Sequence, residues 1–134
     1  MIPTCGEAVA VTGKYGTGRD PGDGRYADVS DKPWLARRIN PAAVERIDEY
    51  LALCASRDLL PSQVALAWVT AQPGVTSSII GPRTFEQWED NLGALSFKLD
   101  EKLAVELDRI FPPGGAHSFF YEADFGPHAF PPLM

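Results

Sequence analysis

The sequence is poor in cysteine, in basic residues and in long apolar runs, and each shortage closes off a class of function. Two cysteines, Cys5 and Cys54, are too few for a disulfide framework, and neither stands in the CxxC spacing of a thiolate metal site. Lys and Arg number 12 against 18 Asp and Glu, a formal charge of −6. Nucleic-acid affinity comes from cations that neutralise phosphates, so this balance argues against a nucleic-acid partner. No stretch approaches the ~18 consecutive apolar residues that a membrane span requires. The first residues, Met-Ile-Pro-Thr-Cys-Gly-Glu, carry neither the basic nor the apolar region of a signal peptide. The expectation is a soluble cytoplasmic protein with no membrane partner.

What is present is the composition of a globular chain. Hydrophobic residues make up 45% and charged residues 22% of the 134 positions, enough for one domain with a core. Three zones follow one another. Residues 13–33 hold five glycines and two prolines with no helical or alternating period, and read as a long loop. Residues 112–134 hold five of the twelve prolines together with His117, His128 and an aromatic set, and read as an irregular tail. In that tail Phe119, Phe120, Tyr121 and Phe125 suit either the lining of a substrate pocket or an apolar strip over exposed core. There are no internal repeats.

Between these zones, residues 40–111 are periodic. Asn40 is a candidate cap and Pro41 suits a first helical position, where its missing donor is not needed. Val44, Ile47, Leu51 and Cys54 then recur at helical spacing. Pro61 breaks the pattern, and Ser62 is the expected cap of a second helix over 63–72, apolar on most sides from Val64 to Val69 and so expected to be deeply packed. Pro73 and Gly74 stop it. The β-branched run 75–80, closed by Gly81, predicts a buried strand. Two further helices are expected over 85–95 and 101–110, the latter capped by Asp100.

One stretch of this zone carries chemistry. An expected strand ends at Gly81 and turns directly into a helix whose N-terminus offers N–H groups and a positive dipole end. Arg83 in the turn has the planar fork that grips a phosphate, and Gln87 and Asn91, four apart, share a helix face with amide groups suited to a base edge. Thr84 and Gln87 equally form a Thr-x-x-Gln capping box, which would make both helix-start residues. The residues by themselves leave the two readings open. Glu86, Glu89 and Asp90, without a histidine beside them, read as a solvated face and not as a metal site. The second helix, preceded by 58–61, has the outline of a helix-turn-helix but presents no Arg, Lys or Asn for base edges.

The runs Gln-Val-Ala-Leu-Ala-Trp-Val at 63–69 and Ala-Gln-Pro-Gly-Val at 71–75, and the Gly81-x-Arg83-x-x-x-Gln87-x-x-x-Asn91 spacing followed by Leu-Gly-Ala, resemble the end of an aldo-keto reductase barrel. The resemblance runs from about residue 12 to 110 and is specific over 62–95. It implies an α/β fold, the C-terminal portion of a (β/α)8 TIM barrel, mostly helical by itself with one or two short parallel strands. It implies NADP as cofactor and an oxidoreductase that reduces a carbonyl by hydride transfer. Gly81 would give close backbone approach, Arg83 would bind the adenosine 2′-phosphate, and Gln87, Asp90 and Asn91 would surround adenine and ribose. Lys14, in a Thr-Gly-Lys-Tyr run, would lie by the pyrophosphate, and Arg25 would help close over the cofactor.

Two departures accompany the resemblance. The family's catalytic Asp, Tyr, Lys and His belong to the first half of the barrel, which this sequence does not match, so Lys14 and Tyr15 are not assigned to catalysis. The Ser-Pro-Leu-type segment that precedes the Thr-Gly-Lys-Tyr run in the family is replaced here by residues 4–11. The expectation is a cofactor half-site inactive by itself, or, alternatively, a non-catalytic remnant or module that self-associates or pairs with a complementary barrel half through exposed edges.

Overall fold

The structure, a computed structural model, describes residues 17–18 and 41–112. The remainder of the 13–33 segment, Asn40 as a cap, and the tail beyond residue 112 lie outside the described residues. The described chain runs α1 (Pro41–Ser56), α2 (Pro61–Ala71), α3 (Phe85–Leu92), a 3₁₀ turn (Gly93–Leu95) and α4 (Glu101–Ile110).

Helix α1 follows the apolar period, and Tyr50 joins Ile47, Leu51 and Cys54 in being buried. Its end is a Schellman motif. Asp58 adopts the left-handed conformation (φ 54°), the Asp58 N–H donates to the Ala55 carbonyl, and the Leu59 N–H donates back to the Cys54 carbonyl at 3.0 Å. Asp tolerates that conformation better than most side chains. Leu59, the residue after it, packs on the core as the motif requires.

Helix α2 begins at Pro61, earlier than the capping serine predicts. Proline's locked φ already fits a helix, so Pro61 takes the first turn, Leu60 stands at the cap without a side-chain bond, and Ser62 falls inside. Of this largely apolar helix, Val64, Ala65 and Trp68 are buried, while Leu66, Ala67 and Val69 are only half covered. It ends at Ala71, just before Pro73 and Gly74, whose φ of +86° a side chain would oppose.

The expected buried strand over 75–80 is not formed. Among the described residues there is no sheet, and the segment has no regular secondary structure, with Ile79 80% exposed. A strand requires a partner for its N–H and C=O groups, and none of the described residues supplies one. The third helix is shorter than expected, because the chain tightens into the 3₁₀ turn after Leu92. The fourth matches its expected bounds, and the Asp100 carboxylate accepts from the Leu103 N–H at 2.8 Å, as a cap should.

Helices α1, α2 and α4 close on one core. Leu103, Leu107 and Ile110 from α4 meet Tyr50 and Cys54 of α1 and Val64 and Trp68 of α2. Phe111 sets its ring edge against Tyr50, with centroids 5.8 Å apart. Polar groups at the margins find partners. The Trp68 indole donates to Asp108 (2.8 Å), the Tyr50 hydroxyl to the Pro61 carbonyl, and the Arg46 guanidinium to the Ile110 carbonyl, which ends α4 without an intrahelical donor. Ion pairs Arg57–Glu106 (2.7 Å) and Arg109–Glu49 join α1 to α4 from outside.

Candidate functional site

The site is built on the turn that leads into α3. The segment 75–82 touches α2 at Ser78, whose hydroxyl lies 3.0 Å from the Thr70 hydroxyl, which in turn donates to the Leu66 carbonyl. Gly81 is exposed, Arg83 and Thr84 form a bend, and α3 starts at Phe85. Thr84 is extended (φ −126°, ψ 158°) and its hydroxyl accepts from the Gln87 N–H at 3.2 Å. The Gln87 side-chain oxygen reaches back and accepts from the Arg83 N–H at 2.8 Å. This is the reciprocal capping arrangement, shifted by one residue because the returning amide takes the N–H before the cap. The helix-start reading of Thr84 and Gln87 therefore holds. It also orients the Arg83 backbone and commits the oxygen of Gln87, so that any base contact by Gln87 would use its amide NH2.

The turn gathers Gly81, Arg83, Gln87, Asp90 and Asn91 on one bend-and-helix unit. Arg83 is exposed, and Gln87 and Asn91 are both half-buried. A guanidinium beside a helix N-terminus suits an anion, because the first-turn N–H groups and the dipole act in the same direction as the cation. Glu86 in the first turn complements that dipole internally. The donor set is one guanidinium and two carboxamides, groups that bind anions and hydrogen-bond base edges, with the carboxylates of Glu86 and Asp90 on the same helix. Lys14 and Arg25 lie outside the described residues.

Two residues that sequence reasoning did not single out touch this region or the segment before it. Gln63 of α2 donates its amide to the Asp90 carbonyl at 2.9 Å, across 27 positions. Asp48 of α1 accepts from the Thr17 N–H (3.0 Å) and from its hydroxyl, which ties Thr17 to the first helix. Neither bond has a local signal, since each depends on two elements having already packed.

Among the described residues, two titratable groups of the core have a displaced pKa. Burial, with the Cys54 thiol beside it, pushes the Tyr50 hydroxyl far above its ordinary value, and burial pushes the Cys54 thiol up as well. Both stay neutral inside the core, where a neutral buried phenol and thiol are packing groups and not nucleophiles. Among the described residues no His, Cys, Asp or Glu group of three or more could hold a metal, and no helix is long and apolar enough to cross a membrane.

A family model described as aldo/keto reductase family matches residues 7–111. The chain is similar to the uncharacterized oxidoreductase YrpG of Bacillus subtilis (strain 168), 42% identical over 71 residues that cover 52% of this chain and 22% of that protein. It is similar to protein tas of Escherichia coli (strain K12), 29% identical over 100 residues covering 75% of this chain and 28% of that one. A third relative, the uncharacterized oxidoreductase Rv2298 of Mycobacterium tuberculosis, is 36% identical over 104 residues, with 75% and 31% covered. The chain thus matches about a quarter of the length of these relatives.

Proposed function

We propose, from the premise that this chain belongs to the aldo/keto reductase family, that it binds the adenosine end of NADP(H) on the bend at 81–84 and the adjoining face of α3. The observation that carries the reading is Arg83 held at the start of a capped helix, with its own N–H fixed by Gln87. Arg83 takes the 2′-phosphate through parallel charge-assisted hydrogen bonds, which sets a preference for NADP over NAD. Gly81 permits close approach of the ligand to the backbone, and Gln87, Asp90 and Asn91 surround the adenine and its ribose. Lys14 and Arg25 belong to the same reading, at the pyrophosphate and in the loop that closes over it.

In a complete enzyme of this kind, bound NADPH supplies hydride to an aldehyde or ketone. This chain's contribution is to hold and orient the cofactor, with no catalytic residue assigned to it, in a cytoplasmic oxidoreductase built on a (β/α)8 barrel. The partner reading follows from exposed apolar side chains. Ile79, Phe85 and Leu95, at 80%, 69% and 83% exposure, form the edge through which the chain meets further barrel units or a second copy.

The test is a titration with NADP+ and NAD+ followed by tryptophan fluorescence, with Trp88 half-exposed next to Gln87 as reporter. The expected result is saturable binding that prefers NADP+. Arg83→Ala should weaken NADP+ by about ten- to a hundredfold, the size of a lost hydrogen bond to a charged group, and leave NAD+ unchanged. A folded chain with no saturable response, or with equal affinity for both cofactors, would overturn the reading.

A further inference from the structure

We propose that Gln63 is a positioning residue for the adenosine site, holding α3 in the pose that presents its amide face. The assignment rests on the cofactor reading of the preceding paragraphs and adds a residue from a different helix to it. Helix α3 buries none of its own side chains, so apolar packing alone does not fix where it lies. What crosses from α2 is the Gln63 amide, which donates to the Asp90 carbonyl at 2.9 Å. That carbonyl belongs to the last turn of α3, where acceptors lack intrahelical partners, and it also receives the Gly93 N–H.

Gly93 shows that the fit is tight. Its backbone is ordinary right-handed helix (φ −56°), so glycine is not required there for conformation. A side chain there would meet the Gln63 amide instead. A Cβ at 93 would stand 2.1 Å from the Gln63 amide nitrogen and 2.6 Å from its Cδ. A methyl at 93 and the amide would therefore compete for one slot, and the flexible end of the Gln63 side chain is the group that would give way. Asn91 and Gln87 lie on the helix so anchored, within a turn of Asp90. A shift of the anchor carries their amides away from the Arg83 turn.

The experiment measures binding of adenosine 2′,5′-bisphosphate and of NADP+ to the whole chain and its variants, by calorimetry at 25 °C, with circular dichroism to follow folding. Gln63→Ala should weaken both ligands by about fivefold, the worth of one hydrogen bond. Gly93→Ala should weaken them similarly by displacing the amide. The double variant should be no weaker than Gln63→Ala alone, because the slot is then empty; a strictly additive loss overturns the inference. Gln63→Glu keeps the size and places an acceptor against the carbonyl. Its deficit relative to the parent should shrink as pH falls toward the carboxyl range, about 4.3, where a protonated carboxyl donates again. A pH-independent deficit marks general destabilisation and overturns the positioning role. Unchanged affinity in a folded Gln63→Ala, with the parent binding normally, overturns this inference and leaves the cofactor reading standing. A parent chain that binds neither ligand overturns the cofactor reading, and this inference with it.

Discussion

Within one set of described residues, helices α1, α2 and α4 hide Cys54 and Val64 completely, whereas the stretch 75–95 leaves Ile79 and Leu95 at least 80% exposed and α3 without a buried residue. The first region is held by apolar burial on three sides and sealed at its margins by Trp68–Asp108, Tyr50–Pro61 and Arg46–Ile110. The second carries no buried residue, and caps and single hydrogen bonds are prominent in it, among them Gln87 N–H to Thr84, Arg83 N–H to Gln87, Gln63 to Asp90 and the Thr70–Ser78 hydroxyl pair. The contrast shows how stability and ligand access divide. The exposed polar groups of the candidate site stay on a turn with no buried residue of its own, and the core beside it supplies the rigidity.

Substitutions can break or sharpen this division. The largest effect belongs in the core: Leu107→Ala, at a position 1% exposed, should cost about 3 kcal/mol in a denaturant melt by removing apolar contacts and leaving a cavity. A loss under about 1 kcal/mol would mean that the three helices do not share a core. Alkaline pH acts on the same region. The folded-state values of Cys54 and Tyr50 lie above their ordinary 9.0 and 10.0, so their stabilising contribution is intact below those values and is lost as pH rises past them. The melting temperature should therefore fall from about pH 9 upward, and Tyr50→Phe should flatten the part above pH 10. An unaltered alkaline profile in that variant would remove Tyr50 as the cause.

Smaller effects lie at the margins. Asp108→Ala takes the acceptor from the Trp68 indole and should cost about 1 kcal/mol, with a red shift in tryptophan emission as water reaches the ring. Phe85→Ser, at a residue 69% exposed, should change stability by no more than about 0.5 kcal/mol, measured in the same melts. Arg109→Ala, which breaks an exposed pair with Glu49, belongs at the bottom of the scale, and any difference it makes should vanish in high salt.

The helices were largely legible in the sequence. The apolar spacing in α1, the Asp100 cap and the Thr84–Gln87 pair correspond to what the structure shows, because each is read from residues within about one turn of one another. The misreadings are equally specific. Ser62 looked like a cap because serine caps helices, but Pro61 before it already had the helical φ. Residues 75–80 looked like a buried strand from β-branching alone, and β-propensity speaks for a pleated, covered surface that none of the described residues provides. Of the candidate site, the grouping of Gly81, Arg83, Gln87, Asp90 and Asn91 was readable because it lies on one short segment.

The sequence by itself determined the bounds of α4, the start of α3 and which residues line the turn before it, since those outcomes are set by hydrogen bonds and caps that close within a few positions. Only the tertiary structure decided that Ile79 in the run after α2 is exposed, that Tyr50 and Cys54 share a buried interior, and that a side chain at Gly93 would meet the Gln63 amide. Only it brought Gln63 to Asp90 across 27 positions and Arg46 to Ile110 across 64. Such contacts form after separate helices have packed, and packing depends on shapes and distances that no local pattern of residues encodes.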